Sequence, residues 1–462
     1  MKKLLTLILV FSTAPFFSQN ITQSELLGRP TNNSITIQAF FDADVDVAIQ
    51  FGTSSGNYTS QTPWTNVIAN NPAELLLTGL SANTKYFYRM LYRQPNATAF
   101  TIRTEHTFQT QRPVGSTYKY VVQADPHMDE QSNIPLYQLC LQNQLDDNPD
   151  FMIDLGDFIM TDKLKNLTTN TIPHDTIPYR CKLLRSNYER LCHSVPLFIA
   201  LGNHEGESGW NLNGTPNNIA VWNTQERQKY FLNPTFSSFY AADSVNDIWT
   251  GQRSSWYAWT WGDALFVALD PYWNTVKSPT SDPWTQTLGA KQYLWLSDVL
   301  KTSTAKHKFI FIHNIIGGLN GEMRGGLEAA PYFEWGGKSL DGTDVFNQKR
   351  PGWAMPLHQL FVKNAVTAVF HGHDHLYAKQ DLDGIVYQEV PQPSAINFSN
   401  FNSIAASYGY KSGTILGSSG FIKVTVNAKS VQSQYIRTWL AKDETSQRKN
   451  GELADAWLVN KP

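Results

Sequence analysis

Five short apolar runs, each broken at its end by a carboxylate, an asparagine or a histidine, constrain this chain more than any other feature. They read YKYVVQADPH from Tyr118, DFMIDLGD from Asp150, VPLFIALGNHE from Val195, HKFIFIHN from His307 and AVTAVFHGHDH from Ala365. Runs this short, rich in β-branched and aromatic residues, form buried strands. Two stretches with helical spacing separate the first three, LYQLCLQNQLDD from Leu136 and PYRCKLLRSNYERLCHS from Pro178. The second places Cys181, Leu184, Tyr188 and Leu191 on one face. Strand, helix, strand, helix, strand is the pattern of an α/β sheet. In such sheets functional groups gather at the carboxyl ends of the strands, where these runs carry their polar residues.

The rest of the chain sorts around this unit. Residues 20–112 read as all-β, with SITIQAFF, DVAIQFG, AELLLTGL, KYFYRMLYR and TEHTFQTQ among five to seven short strands of a sandwich. LSANTKYFYR resembles the fibronectin type III pattern, in which a tyrosine, here Tyr86 or Tyr88, closes a corner. RPVGS at 112–116 reads as a linker, and a catalytic domain is expected over 117–440 with a C-terminal tail at 441–462. Within that domain, SSWYAWTWGDALFVALD from Ser254 is a hairpin turning at Gly-Asp. AKQYLWLSDVLKT from Ala290 and PLHQLFVKN from Pro356 are helices. DGIVYQEV and GFIKVTVNAKSVQSQYI supply further strands.

The first twenty residues, MKKLLTLILVFSTAPFFSQN, carry two lysines, an apolar run and then small polar residues, the pattern of a secretory signal peptide over 1–19. The run is shorter than the ~20 apolar residues of a membrane span, and Ser12 and Pro15 interrupt it. A secreted or periplasmic protein of bacterial type is expected, with no membrane association. A net charge of −2 carries no footprint for nucleic acid. Cys140, Cys181 and Cys192 form no disulfide framework. Cys181 and Cys192 stand ~16 Å apart on one helix, so buried free thiols are expected.

The strand-end residues form one set: Asp125, His127, Asp157, Asn203, His204, His313, His373 and His375. Mixed imidazole and carboxylate ligands suit Zn, Fe or Mn. A bridging carboxylate would hold two such ions about 3.5–4 Å apart. The order Asp-x-His, Gly-Asp, Gly-Asn-His-Glu, His, Gly-His-x-His resembles the calcineurin-like metallophosphoesterase family, over about 118–435. The resemblance implies a four-layer α/β/β/α sandwich, here behind an all-β fibronectin III-like domain, with a site of two transition-metal ions. It assigns Asp125, His127, Asp157 and His375 to one metal, and Asp157, Asn203, His313 and His373 to the other. His204 matches the family's non-ligand histidine, which meets the substrate or leaving group. The implied reaction is hydrolysis of a small-molecule phosphate ester by hydroxide formed on the metals, with His204 assisting the departing oxygen. Glu205 is a candidate orienter of His204.

A β-sandwich ahead of this domain resembles the purple acid phosphatases, but the chain departs from them at two diagnostic points. Their iron-binding tyrosine, three residues after the Gly-Asp aspartate, is here Met160, and their Asp-x-Gly motif is here completed by His127. His127 is therefore expected to stand in for the tyrosinate, without iron–tyrosinate colour and with a neutral to alkaline optimum. Two long inserts, 206–252 and the segment after His313, are expected to shape the pocket. Arg324 is a candidate phosphate clamp, and Trp210, Phe333 and Trp335 are candidates to stack an organic group. Phosphomonoester hydrolysis is the first reading. The alternatives are a phosphodiesterase on the same scaffold and a non-catalytic surface binding protein. His371, beside the paired ligands, matches no ligand position and is expected to pack behind them.

Overall fold

The computed structural model describes residues 20–277, 282–319 and 323–461. The signal peptide expected over 1–19 lies outside the described residues. Among the described residues, no helix is long and apolar enough to cross a membrane.

Two sheets lie face to face and carry the site. In the first, Leu197–Ile199, Met152–Asp154 and Tyr118–Gln123 run parallel, and Gly420–Val426, Ser430–Arg437 and Leu453–Asn460 continue the sheet antiparallel. In the second, of eight strands, Ala264–Ala268, His307–Phe311, Ala368–His371 and Ile385–Glu389 are parallel neighbours. The expected Gly-Asp hairpin is present, pairing Tyr257–Trp261 with Ala264–Ala268.

Strand alternation sends one set of side chains between the sheets and the other under the helices. Tyr120, Val122, Phe151 and Phe198 meet Trp259, Phe266, Phe309, Phe311 and Phe370 in the middle layer. Phe198 stacks on Trp259 with ring centroids 4.0 Å apart. On the outer face of the first sheet, Val121, Met152, Leu197 and Ile199 pack under the helices Ile134–Asp146 and Ile177–Cys192. The helices Ala290–Thr302 and Leu357–Lys363 cover Leu265, Val267, Ile310 and Val369 on the other side. This is the expected α/β/β/α sandwich. The face Cys181, Leu184, Tyr188 and Leu191 is buried, and all three cysteines are free and buried.

The N-terminal region is all-β, with one sheet of Ile21–Gly28, Ile35–Phe41 and Ala73–Leu77 against a second built on Val45–Gly52 and Lys85–Arg93. It has nine strands rather than five to seven, because two- and three-residue strands such as Ser60–Gln61 and Thr65–Val67 are too short to show a pattern. Of the two candidate corner tyrosines, Tyr86 makes the corner, its hydroxyl accepting from the Ser81 N–H at 2.8 Å. Tyr88 instead donates to the His193 carbonyl, across to the other domain.

The C-terminal segment is not a tail. Leu453–Asn460 is the edge strand of the first sheet, and Trp457 donates from its indole to Gln388 in the second sheet at 2.8 Å. Exposed Leu453 and Leu458 blur its alternation, which hides the strand in the sequence.

Candidate metal centre

Every site residue predicted at a strand end lies in the loops at the carboxyl ends of the parallel strands. The loops are knitted to one another through their backbones. Asp125 N–H donates to the Gly156 carbonyl at 3.0 Å, His127 N–H to that of Asp157 at 3.1 Å, and Gly372 N–H to that of His313 at 2.8 Å. Gly372 is needed for close approach rather than for a turn, since a Cβ there would lie 2.6 Å from the Ala124 Cβ and 2.7 Å from Asp125 Oδ2.

Each central carboxylate uses one oxygen structurally and turns the other inward. Asp125 Oδ2 accepts the His373 N–H and Asp157 Oδ1 accepts the His204 N–H, both at 2.9 Å. The remaining oxygens face the imidazoles. Asp125 Oδ1 lies 3.9 Å from His127 Nε2, 3.6 Å from His375 Nε2 and 3.8 Å from His313 Nε2. Asp157 Oδ2 lies 3.8 Å from His127 Nε2 and 3.1 Å from His313 Nε2, so it touches both halves of the cluster. Two groups of converging ligand atoms result: Asp125, His127 and His375, and Asp157, His313 and His373. Donors bound to one ion at about 2.0–2.2 Å stand about 3–4 Å from each other, and the Asp125–His127, Asp125–His375, Asp157–His313 and His313–His373 pairs, at 3.9, 3.6, 3.1 and 3.1 Å, have that spacing.

The donors are poised for cations by what they lack. Asp125 Oδ1, His127 Nε2 and Asn203 Oδ1 are buried with no hydrogen-bond partner. Buried polar atoms left so cost free energy unless something satisfies them. His313 donates its Nδ1 hydrogen to the Leu155 carbonyl at 2.9 Å, which leaves Nε2, 3.1 Å from Asp157 Oδ2 and from His373 Nδ1, as the atom that takes either a proton or a cation. Burial opposes a proton on His313, but Asp157 and then Asp125 outweigh it and push its pKa up to about 10. Protons therefore compete with cations for this anionic pocket.

His204 stands at the edge, its Nε2 4.0 Å from Asp157 Oδ2 and its Nδ1 2.7 Å from Asp162 Oδ1. Burial opposes its protonation, while Asp157 and Asp162 raise its pKa to about 9. Asp162, not Glu205, is thus its orienting partner. Glu205 is fully buried and accepts N–H donors from Asp157, Phe158, Ile159 and Gly202. Burial and the nearby Asp157 raise its pKa to about 7, against those backbone donors.

Three residues that sequence reasoning passed over support the site. Asp162 sits five residues after Asp157 in a 3-10 turn, Thr161–Leu164, which leaves no periodic signal. Asp129 Oδ2 lies 3.7 Å from His127 Nδ1. Arg180, buried on its helix, donates to the carbonyls of His127, Met128 and Ile159.

The candidate substrate contacts fare differently. Arg324 donates to the His373 carbonyl and to Asp374 Oδ1, and stacks on Tyr408, so it braces the ligand loop. Trp210 is half-buried edge-on to Tyr272, whose ring is 6.2 Å from that of His313. Phe333 and Trp335 are corrected to core residues. Both are buried, and Trp335 donates to the Tyr387 hydroxyl. Asp374, between the paired histidines, accepts from Gly325 N–H and the Tyr410 hydroxyl. His371 packs behind the loop with Nδ1 2.5 Å from Glu389 Oε2.

Two packed sheets that deliver six nitrogen and oxygen donors into two adjoining groups define a dinuclear metallohydrolase scaffold. Residues 118–377 match the family model for calcineurin-like phosphoesterase, and the chain belongs to that family, whose members are metal-dependent phosphoester hydrolases. No curated protein matches it in sequence. Among solved structures it is similar to PhoD, at 14% identity with TM-score 0.67, covering 97% of this chain and 92% of that one. It is also similar to purple acid phosphatase PPD1 from yellow lupin (Lupinus luteus) seeds, at 15% identity with TM-score 0.62, covering 95% and 74%. At these identities the likeness is one of fold, and it extends over both domains.

Proposed function

We propose that the chain is an exported phosphomonoesterase, with one cation held by Asp125, His127, Asp157 and His375 and a second by Asp157, Asn203, His313 and His373. The observation that carries the assignment is a set of buried donor atoms without hydrogen-bond partners, Asp125 Oδ1, His127 Nε2 and Asn203 Oδ1, together with an Asp157 oxygen that belongs to one converging group and lies 3.8 Å from His127 of the other. The donor set of four imidazoles, two carboxylates and one amide oxygen suits Fe, Zn or Mn. Two such ions, when bound, act as Lewis acids that acidify water and draw charge from phosphoryl oxygens.

The chain's own residues supply the rest. Loops fixed by Glu205 and Arg180 hold the donors in place. His204 carries a proton whose Nδ1 side is held by Asp162, so Nε2 can deliver it to the departing oxygen. In the net reaction the ester P–O bond breaks, the oxygen of water bonds to phosphorus, and the alcohol leaves with the proton. A monoester brings two negative charges and a diester one. His204, held by Asp162 beside the centre, and the Arg324 guanidinium behind His373 favour the dianion.

The test is a comparison of p-nitrophenyl phosphate with bis(p-nitrophenyl) phosphate, on protein purified without chelator and assayed for metals. Two ions per chain and a faster monoester are expected. A large diester preference overturns the monoester reading, and a metal-free, inactive wild type overturns the enzyme reading in favour of a binding protein. Asp157→Asn should remove hydrolysis by about 10³-fold or more, since it disables both halves of the centre at once.

A further inference from the structure

Against Asp162, the carboxylate bonded to His204, lies an open cavity of about 470 Å³. Its wall includes Asp162, the carboxylate bonded to His204 Nδ1, so one imidazole separates the cavity from Asp157. Four elements build it: the turn after the Gly-Asp motif, the loop through Ile172, the turn Gly209–Asn211, and the start of the helix Ile219–Tyr230 with the residues before it. Its volume falls within the range of small-molecule sites.

The lining has a consistent chemistry. Ile172, Ile219 and Trp222 give it an apolar wall, and Trp222 is held by a stack on His174 with centroids 4.8 Å apart. Facing them are amides. The Asn218 side chain is used up in capping the helix and bonding Thr215. Asn211 spends its NH₂ on the Gly206 carbonyl, which leaves its carbonyl oxygen for a ligand. Asn170 and Asn217 are exposed at the mouth. Lys165 is the one cationic side chain of the lining, and Asp162 is committed to His204. One aromatic plane opposite neutral amides suits a ring that carries hydroxyl groups: the plane covers the ring's C–H face, and the amides bond its rim. An extended peptide would instead need paired backbone donors and acceptors along an edge, as in strand addition.

We propose that this cavity is the leaving-group subsite, and that it takes a neutral hydroxylated ring of sugar or nucleoside size esterified to the phosphate. The inference rests on the phosphomonoesterase reading for its connection to catalysis. It deepens that reading by giving the alcohol a class. Its position suits the role. The departing oxygen is the atom His204 serves through Nε2, and an alcohol long enough to pass the edge of the imidazole reaches the cavity that Asp162 walls on the Nδ1 side. Binding energy from the remote ring would then be used to orient the ester.

The experiment has a binding arm and a kinetic arm, on the metal-loaded full chain. In the first, methyl glucoside and adenosine, neither carrying phosphate, are titrated while ligand saturation-transfer NMR is recorded. At least one should bind to wild type. The signal should fall at least tenfold in Trp222→Ala and in Ile219→Trp, which fills the cavity, with folding of both checked by circular dichroism. The two probes separate sugar from nucleoside. In the second, the ratio of kcat/KM for glucose 6-phosphate or AMP to that for ethyl phosphate should fall at least tenfold in the same variants. If neither ring binds and the ratios stay unchanged, the proposal is overturned. Faster hydrolysis of a phosphoserine peptide, insensitive to Trp222→Ala, also overturns it. If a ring binds and its signal is lost in the variants, yet no phosphomonoester is hydrolysed, the subsite stands and the phosphomonoesterase reading fails.

Discussion

The hydrogen bond from His204 Nδ1 to Asp162 leaves Nε2 as the nitrogen turned toward Asp157. Asp162→Asn keeps the size but removes the charge that holds the imidazole protonated and oriented. Metal content should be unchanged, and kcat should fall by about 10²-fold, with the alkaline limb of the pH–rate profile moved to lower pH because His204 loses its proton more readily. An unchanged profile would show that Asp162 does no more than fill space. The three histidines of GHDH and its preceding residue separate in the same way. His373 Nδ1 converges on His313, whereas His371 is turned back onto Glu389. His373→Ala should lose at least one ion per chain by element analysis, and His371→Ala should keep both. Colour gives a further check. Met160 is buried at the position of the phosphatase tyrosine, and the Tyr272 hydroxyl is spent on Asn314 at 2.5 Å. Iron-loaded protein should therefore lack a visible tyrosinate charge-transfer band, and its appearance would place a tyrosine on the metal.

At the scale of elements, the parallel strands were legible because burial on both faces leaves unbroken apolar runs, and the ligands because each run stops at one. What holds the intervening loops was not. Asp125, His127, Asp157, His373 and His375 all have positive φ, a conformation that costs non-glycine residues of order 1–3 kcal/mol each unless the surroundings enforce it. No residue-type pattern announces such strain, because histidine and aspartate occupy ordinary loops as readily. The enforcement comes from long-range bonds. Glu205 gathers the local Gly202 N–H together with N–H groups from the Asp157 loop, and Arg180 gathers three carbonyls, the Asp157-loop and Arg180 bonds crossing separations no local window spans. Glu205 was legible as a residue but not in its role, since adjacency to His204 pointed to the wrong partner. The edge strand Leu453–Asn460 was missed for the same reason, its pairing being set by the sheet rather than by its own alternation. Glu205→Ala strands four buried donors. It should destabilise the fold by about 3–5 kcal/mol in denaturant titrations and release metal. A loss of activity at full stability would instead assign Glu205 to catalysis.

For the whole molecule, the helix Ile177–Cys192 and the residues just after it join the two domains along one strip. Arg185, wholly buried there, donates to the Ser24 and Gln38 carbonyls of the N-terminal domain and to that of Tyr230 in its own. Glu189 accepts the Ser24 N–H. At the helix end, His193 stacks on His106 of the N-terminal domain, with centroids 4.1 Å apart. The flanking bonds are Tyr88 hydroxyl to the His193 carbonyl and Thr107 N–H to Ser194. Burial, and then His106, lower the pKa of His193 to about 4, while Glu25 pulls weakly the other way. Burial lowers that of His106 as well, with Glu25 opposing and Arg103 assisting. The sign follows from which state binds the proton first. Both bases are held below the value of a free histidine, so the unfolded chain protonates before the folded one. The stability of the stack is complete above about pH 6.5 and is lost as the pH falls from there through about 4. With partial solvent screening the loss is about 1–2 kcal/mol. Thermal melts of wild type and His193→Asn at pH 7.5 and 5.0 measure it. Wild type should lose more Tm than the variant over that interval, because the variant has no proton to take up at this position. Equal losses would show that the histidine stack contributes nothing to the acid sensitivity of the interface.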